Sequence, residues 1–224
     1  MKMMFTRLLM AMLLFLIGGA SVAQAQSLVA YWDQNSNALP PPATGNGFLP
    51  ASFPQAASLG TGNLRLMNFN DSLASTGAYV YIQSFGGTTT NAQTGVIAGG
   101  SLSPQGGLNN SNNGMHIDLQ VSLSNYQNPV LSYARQRTST GFSSHTISYS
   151  TDGINFTQHE VDSVLPTSFG LKTFSFNGVS ALTNAATVTF RITLNGATAA
   201  TGNNRIDNIT VVADTFSSTP ITTS

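Results

Sequence analysis

The chain has 224 residues, with 8 Lys+Arg against 8 Asp+Glu, no cysteine, and only 7% charged residues. That balance excludes the basic patch that nucleic-acid phosphates need. The missing cysteines exclude disulfides, thiolate nucleophiles and Cys-ligated metal sites together.

Lys2 and Arg7 precede an apolar run from Leu8 to Ile17, and Ala23-Gln24-Ala25 offers the small residues that a signal peptidase reads. Residues 1–25 are therefore expected to be a signal peptide, with the mature protein beginning at Gln26. The apolar run is about half the roughly 20 residues that span a bilayer, so no transmembrane anchor is expected after cleavage. The expected location is secreted, extracellular or at the cell surface.

SLVAYWDQN, 27 to 35, reads as an opening strand. Residues 38–58, with their prolines, read as a long surface loop. Asn63 to Asn70 alternates Leu64 and Leu66 with polar residues and predicts a strand. So does GAYVYIQSF, 77 to 85, which is rich in β-branched and aromatic residues. Gly86 to Asn113 is dense in Gly, Asn, Ser and Thr and predicts loop with one short strand.

MHIDLQV, 115 to 121, carries the clearest period-two pattern, with Met115, Ile117, Leu119 and Val121 inward and His116, Asp118 and Gln120 outward to solvent. VLSYARQR, 130 to 137, puts Leu131 and Tyr133 on one face. HTISYSTDGINFTQHE, 145 to 160, predicts a hairpin turning at Asp152-Gly153, with Ile147 and Tyr149 facing Ile154 and Phe156. FGLKTFSF, 169 to 176, and ATVTFRITLN, 186 to 195, predict two more strands.

The last strand signal, GNNRIDNITV at 202 to 211, breaks alternation. Ile206 and Ile209 are three apart, whereas Ile209 and Val211 are two apart. One extra residue at Asp207 or Asn208 restores the register, which is the signature of a β-bulge. Asp207 then has two roles open to it: accepting backbone hydrogen bonds in the bulge, or joining neighbouring oxygens around calcium.

Strands without helical periodicity predict an all-β fold, a two-layer antiparallel β-sandwich of jelly-roll type. No fixed-period repeat supports a β-helix. The sandwich is expected over 26–213, with 214–224 as a polar tail.

W-D-Q-N at 32–35, N-L-R-L at 63–66, the Tyr149–Phe156 hairpin and G-N-N-R-I-D-N-I-T-V at 202–211 together resemble secreted bacterial jelly-roll domains. These are of the kind found in PEP-CTERM-type surface or matrix proteins, and are distantly similar to carbohydrate-binding modules. The Pro-Glu-Pro sorting tail of some members is missing from this sequence. The resemblance implies that closing and opening strands lie side by side, so that Asp33 and Asp207 approach each other. Two such carboxylates need a cation, an arginine such as Arg205, or a proton. Asp33 and Asp207 are thus the candidate metal ligands, with calcium as the candidate structural ion.

Tyr31, Tyr79, Tyr81, Arg135 and Arg137 are the candidate ligand-binding residues, the tyrosines as sugar platforms and the arginines either as grips for a carboxylate-bearing glycan or as ion-pair partners of Asp or Glu. Trp32 is expected in the core, with Tyr31 facing outward. No G-x-S-x-G elbow or zinc-hydrolase spacing is present. Asp118, Asp152, Glu160 and Asp162 are the acids from which a glycoside hydrolase would need a pair. The sequence thus predicts a non-catalytic surface or matrix module whose partner is a polysaccharide or the extracellular matrix. Self-association through exposed strand edges is the alternative, and a hydrolase the more remote one.

Overall fold

The computed structural model describes residues 26–35, 48, 53–69 and 79–217. The expected signal peptide and the tail from 218 onward lie outside these residues, as does much of the 38–58 loop.

Alternating polar and apolar residues produce two antiparallel sheets. The first holds β1 (Ser27–Trp32), β3 (Leu59–Gly60), β5 (Ile82–Gly86), β6 (Gly100–Pro104), β8 (Tyr126–Arg137), β11 (Gly170–Ser175) and β13 (Asn204–Thr215). Its main path runs β11-β8-β13-β1-β3, with β6 joined to β13 and β5 to β6. The second holds β2 (Gln55–Ala56), β4 (Gly62–Met67), β7 (His116–Val121), β9 (Ser144–Ser150), β10 (Thr157–Asp162) and β12 (Val188–Asn195), in the order β10-β9-β12-β7-β4-β2. This is the expected sandwich of jelly-roll type.

The inward faces meet in one core containing Trp32, Leu64, Ile117, Leu119, Leu131, Phe174, Phe176, Phe190, Ile192, Ile206, Ile209 and Val211. Each such side chain contributes about 1.5–3 kcal/mol on burial, and in a chain without disulfides this burial carries the stability. Two single-turn 3₁₀ segments, Leu108–Asn110 and Ser180–Leu182, complete the described regular structure.

Three local expectations change. Of the strand expected over 77–85, residues 77 and 78 lie outside the described residues, and β5 starts at Ile82, the Tyr79 N–H being bonded to the Phe48 carbonyl and the Gln83 amide to the Val80 carbonyl. The hairpin is not a tight two-residue turn. Its strands stop at Ser150 and resume at Thr157, and Ile154 is 81% exposed. The Asp152 carboxylate closes this wider loop by accepting the N–H groups of Ile154 and Asn155, both at 2.8 Å. Finally, β13 runs to Thr215, past the boundary expected at 213.

Candidate functional site

The polar residues of GNNRIDNITV hold a strap. In β13, Asp207 pairs with Ala134 and Thr210 with Ser132, so one extra residue is accommodated between them. Asn208 sits in the left-handed region at φ 50°, which an asparagine tolerates better than most residues. The bulge turns both polar side chains onto the loop between β5 and β6. The Asn208 amide nitrogen donates to the carbonyls of Thr88 and Thr90, at 2.6 and 3.0 Å. Asn91 answers by donating to the Asn208 carbonyl at 2.7 Å and to the hydroxyls of Ser132 and Thr210. The loop thereby lies across the outer face of the first sheet.

Tyr31 belongs to this strap. It faces outward from its sheet, as expected, yet the loop covers it completely. Its hydroxyl donates to Asn208 Oδ1 and accepts the Gln93 N–H, and burial pushes its pKa up to about 12. Its expected place on a ligand platform is therefore taken by Asn208.

Asp207 is fully buried. One carboxylate oxygen accepts the Asn208 N–H and the other the Thr88 N–H, both at 2.8 Å. Burial raises its pKa to about 7, and the charge of Asp33 pushes in the same direction against those hydrogen bonds. Closing strand lies beside opening strand, with Ile209 opposite Trp32. Arg205 does not join Asp33 and Asp207. Its guanidinium turns to the Gly86 carbonyl and the Phe85 ring.

A Cβ built on Gly87 would lie 2.3 Å from the Ala98 carbonyl oxygen and 2.4 Å from both Asp207 Oδ2 and the Gly100 carbonyl oxygen. Three oxygens crowd the place of that Cβ, so residue 87 has to be a glycine; a calcium ion would need oxygen donors gathered elsewhere around Asp207. Among the described residues no three His, Cys, Asp or Glu side chains gather, so backbone carbonyls would have to complete any such set.

The other expected ligand-binding residues are scattered. Tyr79 is buried, 6.4 Å edge-on from the Phe53 ring. Tyr81 is half-buried, and its carbonyl holds the Gln105 N–H. Arg135 is buried between the sheets, its Nε 2.6 Å from Asp162 and its Nη1 on the carbonyls of Gly170 and Leu171, so the expected grip is already spent. Arg137 follows on the same face and is half-buried, with its Nε enclosed. Beside Arg135 lies a buried chain in which Tyr133 meets His145 Nδ1 and Asn204 meets His145 Nε2. Burial lowers the His145 pKa to about 3, so the ring is neutral at physiological pH.

The outer face of the second sheet differs. Cross-strand register places Ser148, Arg191, Asp118 and Arg65 in one row over β9, β12, β7 and β4. A parallel row holds Ser150, Thr189, Gln120 and Asn63. Asp118 and His116, expected in solvent, are only 4% and 9% exposed. For Asp118 the reason is a stack: Arg191 grips both its oxygens at 2.8 Å, and the half-buried Phe156 ring lies 3.5 Å from the guanidinium carbon. Desolvation lowers the His116 pKa beside this pair.

Sequence reasoning missed the contact of Phe156 with Arg191, because it set Phe156 on the hairpin opposite Ile147 and Tyr149. Only the loop ahead of β10 and the β7–β12–β9 order bring Phe156, Arg191 and Asp118 together. The four acids considered for hydrolysis are each committed. Asp118 pairs with Arg191, Asp162 with Arg135 and Glu160 with Lys172, while Asp152 closes its turn.

No protein-family model matches the chain, and no curated protein matches it. Solved structures give distant likenesses. The tandem CBM22-1–CBM22-2 domain from Paenibacillus barcinonensis Xyn10C aligns at TM-score 0.47 and 8% identity, over 92% of this chain and 50% of that one. The CBM22-1 xylan-binding domain of the same enzyme aligns at TM-score 0.44 and 9% identity, over 87% and 99%. The K3 cleaved adhesin domain of Lys-gingipain from Porphyromonas gingivalis W83 aligns at TM-score 0.43 and 11% identity, over 84% and 99%. The likeness to carbohydrate-binding modules is one of jelly-roll fold, at low identity.

Proposed function

We propose that this protein is a non-catalytic, exported binding module that lays a glycan across the outer face of its six-stranded sheet. The observation that carries this reading is the Phe156–Arg191–Asp118 stack, with the half-buried amides of Gln120 and Asn63 on the same sheet. An aromatic ring offers the apolar face that a sugar ring covers, and side-chain amides both donate and accept, as sugar hydroxyls do. Bidentate pairing fixes the guanidinium and, through it, the ring, so little order is lost on binding. The first sheet's outer face, by contrast, is occupied by the protein's own strap.

The same reading assigns calcium, with Asp207 and Asp33 as its carboxylate ligands, to keep that strap closed. Its export rests on the leader-like residues 1–25. No helix among the described residues is long and apolar enough to cross a membrane. Edge-to-edge self-association has less support, because the β10 edge is irregular between Gln158 and Glu160 and β11 is tied to it by Lys172–Glu160 and by His159 donating to the Ser175 carbonyl.

The test is affinity electrophoresis of the wild type and Phe156→Ala through gels holding single soluble polysaccharides. Retardation by at least one polysaccharide, lost in Phe156→Ala at unchanged melting temperature, supports the reading. Passage of both proteins through every gel without retardation overturns it.

A further inference from the structure

We propose that a trough at one end of the sandwich is a binding groove for an uncharged, hydroxyl-rich glycan chain, continuing the face that carries Phe156. This rests on the glycan-binding reading and adds the place and the charge of the ligand.

Two depressions of about 230 and 270 Å³ adjoin there, sharing Thr61 and Ser122 as walls. Each is slightly smaller than the ~300–1,000 Å³ of ordinary small-molecule sites, and together they fall within that range. The first is walled by Asn63, Gln120 and Thr187, the second by Ser124 and Tyr126. Asn63 and Gln120 also belong to a row of the second sheet, so the trough borders that sheet's outer face.

Its chemistry is uniform. Every polar side chain lining it is a hydroxyl or an amide, and no Lys, Arg, Asp, Glu or His takes part. Such a wall offers donors and acceptors to a neutral polyol but nothing to balance a carboxylate or sulfate, whose burial without a partner is costly. The half-buried ring of Tyr126 stands at the far end as the apolar surface.

The walls are fixed before any ligand arrives. The Leu123 N–H is bonded to the Ala185 carbonyl, the Tyr126 N–H to the Leu123 carbonyl, the Thr61 N–H to the Val29 carbonyl, and the Asn125 N–H to Asn184 Oδ1. The floor at Gly62 is packed tight, since a Cβ there would meet the Gln120 carbonyl, Val121 and the Trp32 ring at 3.0 Å. A fixed, neutral, hydroxyl-lined groove running into a face with a locked aromatic matches one extended chain better than two separate ligands.

Isothermal titration with neutral oligosaccharides of increasing length tests this, using xylo-, gluco- and galacto-oligomers and an oligogalacturonate as the charged comparator. Ser122 and Thr187 are both exposed, so Ser122→Trp and Thr187→Trp fill the trough from opposite walls without touching the core. The expected result is a tenfold or greater loss of affinity for the longer neutral oligomers in both variants, at unchanged melting temperature, with little effect on the shortest ones that bind. Phe156→Ala weakens short and long oligomers alike. Full affinity for the long oligomers in both tryptophan variants, with loss in Phe156→Ala, overturns the trough and leaves the face standing. Equal affinity for the oligogalacturonate overturns the uncharged ligand, and no binding by any oligomer overturns the trough and the face together.

Discussion

Tyr31 and Asn208, far apart in sequence, meet where the first and last strands pair, the tyrosine hydroxyl donating to the asparagine side-chain oxygen beneath the Thr88–Gln93 strap. That contact joins the two chain ends to the glycine-rich loop between them. Tyr31→Phe leaves a buried acceptor unpaired and is expected to cost about 1–3 kcal/mol by urea unfolding.

Asn208 acts through both side chain and backbone, and two substitutions separate the parts. Asn208→Gly keeps the left-handed backbone but loses the amide bonds to Thr88, Thr90 and Tyr31, an expected loss of about 2–4 kcal/mol. Asn208→Ala adds roughly 1–2 kcal/mol for the left-handed conformation. Equal costs in the two variants would show that the bulge geometry contributes nothing.

Asp207 makes stability fall as pH rises. Its folded pKa of about 7 lies above the ordinary carboxylate range, so the folded state holds a proton that the unfolded chain releases near pH 4. Its contribution is complete below pH 4 and lost as pH climbs through 7. Without calcium, the melting temperature is expected to fall over that window, and Asp207→Asn to flatten the fall. With calcium in excess, the bound cation replaces the proton, and the fall is expected to shrink in the wild type only.

His145 works in the opposite sense. Its folded pKa of about 3 lies below the ordinary value of 6.5, so its contribution is whole above pH 6.5 and lost as pH drops toward 3. Acid unfolding followed by circular dichroism is expected to begin below pH 6 and to shift to lower pH in His145→Gln, relative to that variant's stability at neutral pH.

Arg135 and Asp162 form an ion pair between the sheets with little exposure on either side. Arg135→Ala strands a buried carboxylate, with an expected loss of about 3–5 kcal/mol. The double variant Arg135→Met/Asp162→Leu is expected to recover most of it. An additive double variant would contradict the pairing.

Strand positions and the bulge were legible because period-two alternation and its single break are local properties of the chain. Burial of polar groups was not. Asp118 occupies an outward position on a strand, and the neighbouring strand's Arg191, roofed by Phe156 from a loop, pairs with it and covers it. Tyr31 was assigned the correct side of its sheet and then lost its solvent to a loop whose composition, Gly, Thr and Asn, gives no sign of where it folds. Arg135 was read as either a ligand grip or an ion-pair partner, and the choice between them depended on Asp162 arriving from the other sheet. Residue chemistry was visible in each case, and the missing quantity was the long-range pairing.

The division of labour between the two outer faces is tested most directly by hydrogen–deuterium exchange of the protein with and without the tightest-binding polysaccharide. Slowed exchange is predicted in residues 151–156 and in β12, β7 and β4, with residues 86–99 unchanged. Protection confined to 86–99, with none around Phe156 and Arg191, would contradict the assignment of the second sheet as the ligand face.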